Sequence, residues 1–303
     1  MAAARGKTLL FTRAGRIARA PVIRDDRSMQ STDVETPCLP DSRQLQQLVI
    51  GIAEKEVLTR YHHARVTRKV DGSLVTDADL AVQAGLEEAL AARWPEIPLM
   101  GEEMTREQQQ ALVERESYWC VDPLDGTTNY SAGLPYFAIS LALVVSGRAR
   151  IGVVYDPVRR ECFRAEKGRG AWLNDQPLAL PPAPQRLQDC IALVDMKRLT
   201  PELARRLAEI PPYRSQRCFG AIALEWCWLA AGRAHLNLHG GQKLWDYAAG
   251  RLVFTEAGGV VEETTDPGSR LGLMVKPAIG AVDPALFRQW REWLEQAGFC
   301  VPS

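Results

Sequence analysis

Residues 119–129 read Trp-Cys-Val-Asp-Pro-Leu-Asp-Gly-Thr-Thr-Asn, which places Asp122 and Asp125 three residues apart at the end of an apolar run. A strand that breaks at a proline and a glycine can turn both carboxylates, and the Leu124 carbonyl between them, toward one point. These hard oxygen ligands suit Mg²⁺, which also takes water and substrate phosphate. The backbone N–H groups that follow from Gly126, at a predicted helix start, suit an anion. The stretch therefore predicts metal-assisted phosphoryl chemistry.

Composition narrows the class of protein. The 303 residues carry 37 Lys and Arg against 37 Asp and Glu, and this balance argues against binding of nucleic acid through its phosphate backbone. The seven cysteines are dispersed, with no Cys-x-x-Cys pair, as is typical of reduced thiols in the cytoplasm. No apolar run reaches the ~20 residues that a membrane-spanning helix needs, so we expect no membrane partner.

Residues 1–40 are predicted to be a disordered extension, because the first 28 carry six arginines and no organised apolar face. The apolar run at 9–11 is too short for a signal peptide, whereas a transit-like or membrane-touching segment stays open as an alternative. In the remainder of the chain, four prolines in 177–184 mark the best domain boundary. We expect an N-terminal α+β lobe over 41–184 and a C-terminal α/β lobe over 185–303.

Periodicity and turn residues predict the elements of these lobes. Helices are expected over 42–58, 77–94, 201–208, 221–231, 246–257 and 284–296. Strands are expected over 118–121, 137–145, 150–155, 162–165, 171–173, 191–194 and 235–238, with a hairpin turn at Ser146-Gly147.

Further acidic residues stand at element ends: Asp77 and Asp79 before the second helix, Glu102-Glu103 after an apolar pair, and Asp246 in Trp-Asp-Tyr-Ala-Ala-Gly. Each has an ordinary interpretation when taken alone. Asp77 and Asp246 read as helix N-caps, and the glutamate pair reads as a solvated surface.

Taken together and in order, the motifs LVTDAD (74–79), GEE (101–103), DPLDGTTN (122–129), WDYAAG (245–250) and TEAGG (255–259) resemble the inositol monophosphatase family of lithium-sensitive phosphatases. The resemblance implies a layered αβαβα sandwich, an α/β (α+β) fold also seen in fructose-1,6-bisphosphatase, and a cytosolic homodimer. The ligands that it implies for two or three Mg²⁺ ions are Glu102, Asp122, the Leu124 carbonyl, Asp125 and Asp246.

The same resemblance implies the other site residues. Thr127 and Asp79 would form the dyad that orients and deprotonates the attacking water, and the N–H groups of Gly126 and Thr127 would hold the phosphate. The implied substrate contacts are Glu102, Leu124, Asp125, Gly126, Thr127, His239 and Asp246.

The substrate-facing half departs from the family pattern. Inositol-specific members have a glutamate six residues before the Trp-Asp pair, and this chain has His239, which can bond a hydroxyl or be a loop residue without substrate contact. Inositol-specific members also have a Gly-Ser-Ser-Arg-like segment, which this chain lacks. Lys197 and Arg198 stand near its place, where they would either contact an anionic group or form a solvated pair. Glu225 receives no role, and Trp226 and Trp228 read as core or subunit contacts.

We therefore predict Mg²⁺-dependent hydrolysis of a small phosphate monoester, with inositol 1-phosphate as the nominal substrate. The alternatives are a bisphosphate nucleotide, sugar or histidinol phosphatase, and a non-catalytic protein of the same fold that binds a partner such as RNA polymerase.

Overall fold

The computed structural model describes residues 40–69, 72–262 and 276–299, so the extension predicted over residues 1–40 lies outside it except for Pro40. In the described ranges the α-helices are α1 (Ser42–Ile52), α2 (Asp77–Arg93), α3 (Arg106–Val113), α4 (Thr127–Ser131), α5 (Pro201–Glu209), α6 (Ile222–Ala230), α7 (Leu244–Glu256) and α8 (Pro284–Gln296). A π-helix, Ala53–Leu58, continues α1 to the end predicted for that helix, and Leu187–Asp189 and Met196–Arg198 are 3₁₀-helices. The strands are β1 (Val66–Arg68), β2 (Leu74–Thr76), β3 (Leu99–Gly101), β4 (Ser117–Asp125), β5 (Ala138–Val145), β6 (Arg148–Asp156), β7 (Glu161–Glu166), β8 (Gly170–Leu173), β9 (Gln176–Leu178), β10 (Ile191–Asp195), β11 (Ser215–Arg217), β12 (Leu236–Gln242), β13 (Val260–Val261) and β14 (Lys276–Ala281).

Two large sheets organise the chain. The first has the order β3-β4-β5-β6-β7-β8-β9 and is antiparallel except for the parallel pair β3–β4, which confirms the predicted meander. The second has the order β11-β10-β12-β14-β13, with β10 parallel to both of its neighbours. The change of sheet falls between Leu178 and Ile191, a segment that includes most of the proline-rich stretch. The division into two lobes stays a prediction.

Side chains of β4 alternate between two cores. Trp119 and Val121 pack with the buried faces of α1 and α2, whereas Tyr118 and Cys120 belong to the core on the other side of the sheet. Successive side chains of a strand point to opposite faces, so an uninterrupted apolar run identifies a strand that is covered on both faces.

The second core holds the remaining layers together. Helices α6 and α7 pack on each other, with α7 against β4 to β8 and α6 against β12. Helix α8 covers β13 and β14, and its Trp290 donates from Nε1 to the Asn237 carbonyl at 3.0 Å. The layers therefore follow the order α, β, α, β, α, which confirms the predicted sandwich.

The predicted helices are present, but their caps differ from the simplest interpretation. The N-cap of α2 is Thr76, not Asp77, and Asp79 completes a capping box with it. Asp246 is the third residue of α7, which follows Lys243 at the N-cap position. The interpretation of Asp77 and Asp246 as N-caps is therefore wrong.

Helix α3 and the strands β1, β9, β11, β13 and β14 were not predicted. The sequence of α3 is mostly polar and therefore shows no clear apolar periodicity, although a capping box between Thr105 and Gln108 marks the start of the helix. No helix in the described ranges is both long and apolar enough to cross a lipid bilayer.

Candidate active site

The two aspartates of the opening stretch lie at a bulge of β4. Asp122 is opposite Ser140 of β5 and Asp125 is opposite Ala138, so three steps along β4 match two steps along β5. Residues three apart in a regular strand face opposite sides of the sheet, whereas one extra residue brings them to the same side. The bulge, which contains Pro123, thus turns both carboxylates toward the layer of α6 and α7.

Asp125 caps a helix that is distant in sequence. Its carboxylate accepts hydrogen bonds from the N–H groups of Ile222 at 3.0 Å, Ala223 at 2.7 Å and Leu224 at 3.4 Å. These are first-turn N–H groups of α6, which have no partner within the helix, and Ala221 before them provides no side-chain cap. The start of α6 and the position of Asp125 therefore depend on each other.

The turn after Asp125 needs a glycine. Gly126 has φ +92°, a left-handed conformation, and a Cβ there would lie 3.0 Å from the Tyr136 carbonyl oxygen. This turn starts α4 and brings the Thr127 hydroxyl back to the Leu124 carbonyl at 2.9 Å and to Asp79 Oδ1 at 3.2 Å. The hydroxyl has one proton, so it donates to one of these oxygens at a time.

Asp79 is buried at the start of α2. Its Oδ2 accepts from the N–H of Thr76 at 2.8 Å and from the Thr76 hydroxyl, and its Oδ1 faces Thr127. Burial raises the pKa of Asp79 to about 6, although these hydrogen bonds act in the opposite direction. The sequence-predicted dyad of Thr127 and Asp79 is thus in hydrogen-bond contact.

Glu102 and Asp246 approach the bulge from two other elements. Glu102 follows β3, the parallel neighbour of β4, and Asp246 accepts from the N–H of Lys243 at 2.9 Å. Glu102 Oε1 forms ion pairs with two ammonium groups, that of Lys243 at 3.4 Å and that of Lys69 at 3.6 Å. Lys69 also bonds Glu103 at 2.6 Å. The sequence interpretation missed both lysines, because only the fold brings them to Glu102.

Negative charge is crowded at this point. Burial, followed by the charges of Glu102, Asp125 and Asp246, raises the pKa of Asp122 well above its usual range. Burial and the charge of Asp246 do the same to the pKa of Asp125, and burial raises the pKa of Asp246 to about 7. Buried carboxylates of like charge need a cation to ionise together.

The donor set fits Mg²⁺ in its chemistry. Four carboxylates and the Leu124 carbonyl offer only hard oxygen atoms, and their crowded charge needs neutralisation. In the conformation described, no group of three or more His, Cys, Asp or Glu side chains within the described ranges could hold a metal ion by itself. Glu102 forms ion pairs with lysines, and Asp125 and Asp246 accept hydrogen bonds from backbone N–H groups. A metal ion would therefore compete with the two lysines for Glu102, whereas Asp125 and Asp246 keep lone pairs for it beside their N–H donors.

His239 is the fourth residue of β12, the central strand of the second sheet, and lies opposite Asp195, the last residue of β10. Its Nδ1 accepts from the N–H of Gly241 at 3.1 Å, and its Nε2 lies 3.5 Å from Asp195 Oδ2. Both ring nitrogens are thus engaged within the protein. The contact predicted between His239 and substrate stays a prediction.

The remaining substrate-side residues have mainly structural surroundings. Glu225 is buried and accepts from the N–H groups of Phe219 at 2.6 Å and Gly220 at 3.0 Å, so it fixes the turn before α6. Burial raises the pKa of Glu225 to about 7. Trp226 is fully buried in the core, whereas Trp228 is partly exposed and packs edge-on against Phe219.

Comparison with known proteins defines the class to which this fold and site belong. Residues 41–295 match the inositol monophosphatase family, and the chain belongs to that family. The Nus factor SuhB of Pasteurella multocida is 37% identical over 207 residues, which are 65% of this chain and 74% of that protein. The Nus factor SuhB of Escherichia coli K12 is 33% identical over 204 residues, which are 66% of this chain and 75% of that protein.

Solved structures agree on the fold. The extragenic suppressor protein SuhB of Bartonella henselae superposes with a TM-score of 0.70 at 29% identity, over 84% of this chain and 96% of that one. An IMPase of Thermotoga maritima gives a TM-score of 0.70 at 26% identity, over 84% and 98%. An IMPase/NADP phosphatase complexed with Mg²⁺ and phosphate gives 0.68 at 24% identity, over 80% and 92%, and this likeness shows the fold alone.

Proposed function

We propose that the protein hydrolyses a small phosphate monoester, with inositol 1-phosphate as the nominal substrate, in a reaction that depends on two or three Mg²⁺ ions. The observation that carries the proposal is the bulge of β4, which turns Asp122 and Asp125 to one side, within electrostatic reach of Asp246. Family membership and the crowding of buried carboxyl groups in this cluster support the assignment.

The proposed ligands are those that the resemblance implies. Asp122, Asp125 and Asp246 would share one ion, and Glu102, Asp122 and the Leu124 carbonyl would hold another. Mg²⁺ bound there supplies positive charge that neutralises the phosphate dianion and lowers the pKa of a water from ~15.7 by several units.

Thr127 and Asp79 handle the proton in this proposal. The Thr127 hydroxyl accepts a hydrogen bond from the attacking water and passes its own proton toward Asp79 Oδ1, which lies 3.2 Å away. A pKa of about 6 suits Asp79 to a base near neutral pH, since it is ionised there and still basic enough to take a proton. The N–H groups of Gly126 and Thr127 would hold the phosphate oxygens.

The test is phosphate release by the purified protein from inositol 1-phosphate, adenosine 3′,5′-bisphosphate, fructose 1,6-bisphosphate and histidinol phosphate. Release that requires Mg²⁺ and falls with Li⁺ supports the proposal. Asp125→Asn should abolish release while circular dichroism in metal-free buffer stays close to that of the wild type. The matched control is Asp156→Asn, since Asp156 is also buried and accepts from backbone N–H groups at Val158 and Arg159. Near-normal release by Asp125→Asn contradicts the assignment.

A second candidate is binding of a macromolecular partner, because the SuhB relatives carry the name Nus factor. In that case the fold acts without turnover. Retention of Mg²⁺ binding, with no phosphate released from any ester of the panel, would favour it.

The homodimer and the cytoplasmic location that the resemblance implies are also part of the proposal. Sedimentation velocity tests the dimer.

A further inference from the structure

Asn129 ends the sequence stretch 119–129, and neither the proposed metal ligands nor the proposed dyad includes it. It lies at the centre of α4, a helix of five residues. Isolated helices shorter than ~12–15 residues are marginal in water, so α4 depends on contacts with its neighbours. Because Thr127 is the first residue of α4, the contacts that orient this helix also orient the Thr127 hydroxyl.

The side-chain amide of Asn129 bridges two segments that are distant in sequence. Its Nδ2 donates to the carbonyl oxygen of Tyr136 at 2.8 Å and to that of Phe219 at 2.6 Å. An amide nitrogen has two N–H groups, so each carbonyl takes one of them. A carboxylate has no donor and a hydroxyl has only one, so neither could bind both carbonyls. This pair of acceptors explains an asparagine at this position.

The two acceptors are held side by side and lie next to the site. The rings of Tyr136 and Phe219 stack, with centroids 4.8 Å apart. The Tyr136 carbonyl oxygen also lies against Gly126, and Phe219 is in the turn that Glu225 fixes before α6. Asn129 thus joins α4 to the turn that leads into α6.

A second contact holds α4 on another element. The Tyr130 hydroxyl donates at 2.7 Å to the carbonyl of Val57, in the π-helix that continues α1. Helix α4 is therefore tied to two parts of the chain, and both set its orientation. The Thr127 hydroxyl lies 3.2 Å from Asp79 Oδ1, which is already longer than a typical hydrogen bond between two oxygen atoms. A small rotation of α4 would therefore break this contact.

We infer that Asn129 is a positioning residue: its amide fixes α4 in the orientation in which the Thr127 hydroxyl reaches Asp79. The inference rests on the proposed function and adds to the proton pathway a residue that acts through Thr127. Asp125 is held independently by three N–H groups of α6, so loss of the Asn129 amide should leave the metal ligands in place.

The first test is steady-state hydrolysis of inositol 1-phosphate at saturating Mg²⁺. Asn129→Ala should lower kcat by roughly tenfold to a hundredfold, because a displacement of about 1 Å at a reacting group can cost about a hundredfold. KM and the calorimetric Kd for Mg²⁺ should stay close to those of the wild type. Asn129→Asp keeps the shape of the side chain but has no N–H, so it should lower kcat at least as much.

A double variant shows whether Asn129 acts through Thr127. In the Thr127→Ala background, Asn129→Ala should change kcat by less than about twofold, since the hydroxyl that Asn129 positions is absent. The matched control is Trp290→Phe, which also removes the donor of a buried carbonyl, that of Asn237, and should leave kcat unchanged. A wild-type kcat in Asn129→Ala, a loss that appears in KM or in the Kd instead, or a full further loss in the Thr127→Ala background would overturn the inference.

Hydrogen exchange measured by mass spectrometry separates this inference from the proposed function. Amide exchange over 127–133 should be roughly fivefold to thirtyfold faster in Asn129→Ala, as expected when one or two local hydrogen bonds are lost, and unchanged in Trp290→Phe. If the wild type releases phosphate from no ester, the proposed function fails, and this exchange alone decides the inference. Faster exchange confined to α4 and the residues next to it supports the inference, and unchanged exchange overturns it.

Discussion

Lys243 is the residue whose replacement tests most directly how the acidic cluster takes up a cation. Its ammonium group lies 3.4 Å from Glu102 Oε1, and its side chain is 42% exposed. We expect Mg²⁺ to compete with this ammonium for Glu102 and to be repelled by it. Lys243→Gln should therefore increase the affinity for Mg²⁺.

The magnitude follows from the distance and the exposure. Two unit charges at 3.4 Å attract by about 1.2 kcal/mol at the dielectric constant of water and by about 5 kcal/mol at an effective value near 20. Measured values for exposed pairs fall at about 0–1 kcal/mol, and the partial exposure of Lys243 favours the upper end of that range. About 1 kcal/mol corresponds to a roughly fivefold lower Kd for Mg²⁺.

Isothermal titration calorimetry of the metal-stripped protein at low ionic strength measures this Kd. The matched control is Lys167→Gln, because Lys167 pairs with Glu256 at 3.1 Å, away from the acidic cluster, and should leave the Kd unchanged. Added salt should reduce the effect of Lys243→Gln, since screening weakens the competing ion pair. An unchanged or higher Kd in Lys243→Gln would refute the reasoning that Lys243 stands in for a bound cation.

Three further predictions concern separate features. Thr127→Ala should lower turnover by roughly 10²–10⁴-fold with little change in the calorimetric Kd for Mg²⁺, and a large loss of metal binding without a rate defect would remove Thr127 from the proton pathway. Burial raises the pKa of Glu225 from 4.5 to about 7, so its contribution to stability is present below about pH 4.5 and is lost as the pH rises through 7. Glu225→Gln should remove this pH-dependent loss of stability. Urea unfolding should therefore show that the free energy of unfolding of the variant, relative to that of the wild type, is higher at pH 8 than at pH 5. Trp290→Phe should lower the free energy of unfolding by about 1–3 kcal/mol, because the buried Asn237 carbonyl loses its donor. Urea unfolding should therefore show a lower midpoint with an unchanged slope, and an unchanged midpoint would contradict this.

Much of the fold was predictable because local signals and tertiary structure agree. The terminal helix runs over Pro284–Gln296 as its apolar stripe predicts, and Ser146-Gly147 forms the turn between β5 and β6. The sequence signals were incomplete for two helices. The polar helix α3 was not predicted. Helix α6 was predicted over 221–231, but it begins without a cap of its own because Asp125, nearly a hundred residues away, accepts its free N–H groups.

For the site, the motifs identified the acidic residues but not their environment. Thr127 and Asp79 are in contact as the resemblance implies. Lys69 and Lys243 carried no signal, since a lysine outside a motif is ordinary until the fold places it beside another charge.

Apolar periodicity in the sequence determined most of the elements, because periodicity is a local property of the chain. The short motifs, through their resemblance to the inositol monophosphatase family, indicated the layered fold class and the acidic residues. Tertiary structure alone decided the orientation of those residues. The spacing of Asp122 and Asp125 would place them on opposite faces of a regular strand, and only the pairing of β4 with β5 creates the bulge that turns them together. The partners of Glu102 and Asp195 depend likewise on contacts between distant elements, because electrostatic interactions act through space and are not encoded in neighbouring residues.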